Sequence, residues 1–173
     1  MTEFVYDCLV TQGVNPATAG FLATATLAAL AIVLSIIANF VAKRFILKGL
    51  ARIIAHTETQ WDDIFHERNV FGKLSHLAPA VVLYVMMPIA LEGYDRLTAL
   101  ATNVVVLYMI IIGILVIDSF LNAVLDIYRT REGSKEIPIK SFIQILKVAI
   151  YFIAIILIIS VILDKTPLYF FSG

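Results

Sequence analysis

The chain has 173 residues, 61% apolar and 15% charged, with a formal net charge of +0, and its mean hydropathy is +0.94. Soluble domains carry roughly 45–50% apolar residues, and a globule of this length has too little interior to bury the excess. Zero net charge gives no field to attract nucleic acid, and a single cysteine, Cys8, excludes an internal disulfide or a cysteine metal cluster.

The N-terminal residues form an acidic tail without Lys or Arg, and the apolar run after it is too long for a cleavable signal segment. Asn15-Pro16 then reads as a helix start, a capping residue followed by a proline whose missing N–H is not needed there. Four apolar runs predict membrane spans at about 17–42, 77–92, 97–127 and 139–163. The second is short and holds Pro79 and Pro88, the third is interrupted by Asp118, and the fourth is dominated by isoleucine. The expected fold is all-α: one transmembrane domain over 1–173, an integral membrane four-helix bundle with linkers at 43–76 and 128–138.

The basic residues set the expected orientation. Lys43, Arg44, Lys48, Arg52, Arg68 and Lys73 fall in the first linker, and Arg129, Arg131, Lys135, Lys140 and Lys147 in or near the second. Only Arg96 and Lys165 fall on the other side. Basic residues near span ends stay cytoplasmic, so both linkers are expected inside and both termini on the periplasmic side of a bacterial inner membrane.

Within the first linker, Ile46, Leu47, Leu50, Ile53 and Ile54 recur at helical spacing while Arg44, Lys48 and Arg52 lie four apart on another face. Span one should therefore continue as an amphipathic cytoplasmic helix, its cationic stripe meeting lipid phosphates or simply water. Thr59-Gln60-Trp61-Asp62 has capping-box spacing and opens a second short helix towards Phe71.

An acid inside a span should face protein or water and have a partner. Asp118 and Lys147 reach similar depths from the linker that joins antiparallel spans three and four, so they form a candidate pair, flanked by Asn122 and Gln144. The alternative places both near the interface, with Lys147 reaching out to water. In span one Gly20, Thr24 and Ala28 repeat every fourth residue, a candidate helix-packing face; the alternative is lipid-facing alanine. Tyr94 and Tyr169-Phe170-Phe171 sit where an outer aromatic belt belongs.

Catalytic signatures are lacking: His66-Glu67 has no second histidine four residues on, and His56, His66 and His76 are ten apart, on no common helical face. No phosphate-cradling glycine loop or nucleophile elbow occurs. The expectation is a protein that is not an enzyme, with no catalytic residues, cofactor or metal.

Two stretches carry a family resemblance: Trp61-Asp62-Asp63 with Asn69 through Ala80 (NVFGKLSHLAPA), and Ile137 through Lys147 (IPIKSFIQILK) with the closing Pro167 through Gly173 (PLYFFSG). Together with Asp118-Ser119-Phe120-Leu121-Asn122, they resemble the small-conductance mechanosensitive channel (MscS-like) family, in particular its miniconductance, YbdG-type branch. The likeness covers most of the chain from Trp61. It implies a membrane-tension-sensing transmembrane domain that ends where relatives begin the pore-lining helix and the cytoplasmic domain beyond it. The partners it implies are membrane lipids and further copies of the chain, as a heptamer, with no nucleic acid. The competing expectation is a membrane subunit of a transporter or larger complex, with Asp118 contacting an ion or substrate.

Overall fold

The computed structural model describes residues 2–54, 61–129 and 139–170, in which every regular element is helical. In chain order these are α1 (Thr2–Thr11), α2 (Pro16–Ile54), α3 (Trp61–Glu67), α4 (Val70–Ser75), α5 (Leu77–Ala90), α6 (Asp95–Arg129) and α7 (Ile139–Ile162), then a 3-10 turn at Pro167–Phe170. Four stretches are long and apolar enough to cross a membrane: Pro16–Phe45, Val70–Ala90, Asp95–Arg129 and Ile139–Ile162. The chain is an all-α, multi-pass membrane protein.

Local chemistry explains where the helices start and stop. The Ala17 amide donates to Asn15 Oδ1 at 3.1 Å, and the Ala19 amide to the Asn15 carbonyl at 2.8 Å, so Asn15 caps α2 as its sequence suggests. From Pro16, α2 continues without interruption to Ile54, about 58 Å at helical rise, far more than the roughly 30 Å hydrocarbon core. Its last turns leave the apolar stretch as one continuous helix.

The second span begins at Val70 rather than Leu77, because the apolar turn of α4 leads into α5. Asn69 divides α3 from α4 with φ 51 and ψ 34, a left-handed conformation that asparagine tolerates better than most residues. Its amide lies over Gly72, and a Cβ at that position would collide with it. The break between α4 and α5 has a different cause. Pro79 has no N–H for the Ser75 carbonyl four residues earlier and its ring crowds that carbonyl, so the chain turns at His76, whose amide bonds the Lys73 carbonyl at 3.1 Å. At its far end α7 closes with Asp164 left-handed (φ 51), the Lys165 amide reaching the Ser160 carbonyl at 3.0 Å.

The N-terminal tail is α1, a helix the sequence reading did not expect. Val5, Tyr6, Leu9 and Val10 are half-buried at helical spacing, and Gly13 takes φ 87 to end the turn that leads to α2.

The spans form an open bundle, set side by side in a row: α2 packs on α4 and α5, these on α6, and α6 on α7. α1 lies against α2, and α3 against α4 and α6. Among the described residues no extensive contact joins α2 to α6 or α7. Both broad faces of the row, and its α7 edge, are left to lipid. Along that edge Ile145, Val148, Phe152, Ile155, Ile159 and Ile162 are exposed.

Where α2 meets α5, most of the buried residues are small. The buried row of α2 is Ala19, Ala23, Leu27, Ala31 and Ser35, and Ala80 and Ala90 are buried on α5. In a bilayer, close backbone approach replaces the hydrophobic effect as the source of association. This corrects the expected packing face by one position. Gly20, Thr24 and Ala28 are half-buried at its rim, and a Cβ on Gly20 would meet nothing within 4 Å. Two adjacent rows of small residues run along this helix, and only contact with α5 distinguishes them. Ser35 Oγ also donates across the interface to the Pro79 carbonyl at 3.2 Å.

Ala23→Leu should overpack the interface and lower unfolding stability in detergent by about 1–3 kcal/mol, whereas Ala25→Leu, at an exposed position, should leave it within about 0.5 kcal/mol. A denaturing-detergent titration of both variants checks this.

Candidate functional site

Two helical repeats face each other across the α6–α7 contact. Asp118 and Asn122 lie one turn apart on α6, and Lys147 and Tyr151 one turn apart on α7. Counted from the basic ends of their helices, Asp118 lies about 16 Å along α6 and Lys147 about 12 Å along α7, so the antiparallel pair meets at one depth.

The side chains close into a ring. Lys147 Nζ is 2.7 Å from Asp118 Oδ1 and donates to Asn122 Oδ1 at 2.8 Å. Asn122 Nδ2 donates to Asp118 Oδ2 at 2.9 Å, and the Tyr151 hydroxyl to Asp118 Oδ1 at 2.7 Å. Each side of the Asn122 amide thus serves its proper partner, N–H to carboxylate and oxygen to ammonium. The Asp118 and Lys147 side chains retain 26% and 19% of their exposure, so both charges are largely out of solvent.

A second set of polar contacts ties α3 and α4 to the same part of α6. Lys73 Nζ donates to Oγ of Ser119, the residue next to Asp118. Arg68 Nε donates to Asp126 Oδ2 at 2.6 Å, and Arg129 Nη1 lies 3.8 Å from Asp126 Oδ1. Aromatic contacts close the gap: Phe65 stands 6.1 Å from Phe71 and 5.8 Å from Phe120, centroid to centroid. The basic end of α6 is therefore a hub, taking α7 through Asp118 and Asn122 and α3–α4 through Ser119 and Asp126.

Of the residues singled out from sequence, Asp118, Lys147 and Asn122 come together. Gln144 does not: it is exposed, and among the described residues it has no polar partner. Tyr151 was missed, although its place one turn after Lys147 was a usable signal. Lys73–Ser119 and Arg68–Asp126 join positions far apart in sequence, and no local pattern announces them. Arg44 is exposed at the basic end. Lys48 and Arg52 belong to α2, but their side chains lie outside the described residues, as do His56, the Thr59-Gln60 start of the capping box, most of the 128–138 linker and the closing Phe171-Ser172-Gly173. Tyr94 and Tyr169 are exposed at the opposite end, and Tyr169 meets Phe170 edge to face at 5.7 Å.

The carboxylate accepts three hydrogen bonds, all from groups within the ring, which suits a structural clamp better than an ion-binding or proton-carrying centre. Among the described residues no cluster of three or more His, Cys, Asp or Glu side chains could hold a metal ion.

Lys147→Met leaves Asp118 without its counter-charge and should destabilise the protein more than the Asp118→Leu/Lys147→Met double variant does. The coupling energy in a double-mutant cycle should lie near the upper end for membrane side-chain pairs, about 1.5 kcal/mol. Tyr151→Phe, which removes one donor, should cost only about 0.5–1.5 kcal/mol. Unfolding titrations of these variants measure all three values.

No protein-family model matches the chain, nor does any curated protein or solved structure.

Proposed function

We propose that this chain is the membrane-tension-sensing transmembrane domain of an MscS-like mechanosensitive channel in a bacterial inner membrane. The observation that carries the reading is the open row of spans. In α7, the most apolar of them, only 11% of the most apolar stretch is buried, so most of its side chains rest on lipid. Lateral tension favours whichever state occupies more membrane area. It shifts a two-state equilibrium only through a part of the protein that differs between the states and bears on lipid. A single layer of helices, clamped at one end by α6, has that form. The motifs around Asn69–Ala80 and Ile137–Lys147 support it by their resemblance to that family.

The membrane-subunit or transporter reading draws on the intramembrane charges of Asp118 and Lys147. It is the weaker of the two, because the groups already engage each other, Asp118 also accepts from Asn122 and Tyr151, and Lys147 also donates to Asn122.

Patch recording of the full gene product in giant vesicles under graded suction tests the channel reading. Current that rises with suction is expected, and current indifferent to tension would sink it. Orientation has its own reporter in Cys8, the lone cysteine, which is exposed on α1. The basic end belongs inside by the distribution of Lys and Arg, so a membrane-impermeant maleimide should label Cys8 in cells with a permeabilised outer membrane. Labelling only after lysis of the inner membrane would reverse the topology.

A further inference from the structure

At the basic end of the row, between α2 and the α4–α5 break, lies a pocket of about 140 Å³ lined by Asn39, Lys43, Asn69, Lys73, Ser75 and His76. Its lining is polar at the depth where the apolar run of α2 gives way to Lys43 and Arg44, the level of lipid head groups. Lys43 makes no ion pair or hydrogen bond among the described residues. Lys73 spends one proton on Ser119 and an ammonium has three. Asn39 carries the second, independent signal: its Oδ1 is buried without a hydrogen-bond partner among the described residues. A buried acceptor left unmet is costly and calls for a donor.

These features specify a ligand. Two ammonium groups match a phosphate diester. The unmet Asn39 acceptor matches a hydroxyl attached close to that phosphate. The pocket is smaller than the ~300 Å³ or more usual for drug-sized ligands, so it admits a head group and leaves acyl chains outside. The spans on either side put those chains in hydrocarbon.

We infer that this pocket binds the head group of an anionic, hydroxyl-bearing glycerophospholipid of the phosphatidylglycerol type, with Lys43 and Lys73 on the phosphate and Asn39 on a glycerol hydroxyl. The site is separate from the Asp118–Lys147 ring and does not depend on the chain sensing tension, since its test reads binding and not current.

The experiment is native mass spectrometry of the detergent-solubilised protein titrated with phosphatidylglycerol, with phosphatidylcholine, and with soluble glycerol phosphate. Phosphatidylcholine shares the phosphate but offers no hydroxyl and no net charge. Phosphatidylglycerol should be retained at about tenfold lower concentration than phosphatidylcholine. Lys43→Gln, at an exposed position, should weaken phosphatidylglycerol binding about fivefold, the value of one basic residue at an anionic surface, and weaken the already poorer phosphatidylcholine binding by less, since that lipid carries no net charge. Asn39→Leu replaces the unmet acceptor by a similar apolar volume. It should raise the melting temperature of lipid-free protein while weakening phosphatidylglycerol retention, a combination that a merely structural asparagine does not produce. Equal retention of the two lipids, or unchanged phosphatidylglycerol binding in both variants, overturns the proposal. Displacement of phosphatidylglycerol by glycerol phosphate at equal concentration overturns the lipid assignment in favour of a free phosphate ester.

Discussion

A carboxylate held within a membrane span is the constraint around which the basic half of this protein is organised. At the centre of a spanning helix an aspartate costs about 2.5–3.5 kcal/mol on insertion scales, and the hydrocarbon offers it nothing in return. Asp118 meets that demand with an ammonium, an amide and a phenol from two facing helical turns. Satisfying one acid therefore fixes the register of α6 against α7. A slide by one helical residue would separate Lys147 from both Asp118 and Asn122, leaving two unpaired charges. Few apolar contacts between isoleucine-rich helices in lipid discriminate so sharply among registers, because one methyl-covered surface resembles another.

The two halves of the row are consequently held by different physics. Where α2 meets α5, alanines and Ser35 allow the backbones to approach, and dispersion does the work. Where α6 meets α7 and α4 at the basic end, charged and polar groups impose definite partners. Small-residue contact tolerates modest rotation or tilt, since each atom pair contributes little. The polar clamp tolerates none without exposing a charge.

Much of this was legible in the residues. Hydropathy placed the spans, Asn15-Pro16 placed the start of α2, and equal distances from a shared linker brought Asp118 to the depth of Lys147. Each of these rests on periodicity or on counting along one helix. What escaped depended on neighbours. The choice between the Gly20 row and the Ala19 row turns on a rotation of one residue, and both rows are small enough to pack. Lys73 and Arg68 read as ordinary basic linker residues until the fold sets them against Ser119 and Asp126. Helix α1 is a different case: it is short, and its apolar spacing of Val5, Tyr6, Leu9 and Val10 is interrupted by Asp7 and Cys8.

The break at His76 connects these points. Pro79 lies too far into the second span to be only a start signal, and by displacing the Ser75 carbonyl from regular pairing it divides α4 from α5. From α4, Lys73 reaches Ser119 of α6, while His76 and Ser75 line the pocket beside Asn39 and Lys43 of α2. The Pro79 carbonyl receives Ser35 from α2, so the same residue that interrupts the helix also anchors it. One proline thus separates the apolar contact above it from the polar contacts below it, and the second span can belong to both seams at once.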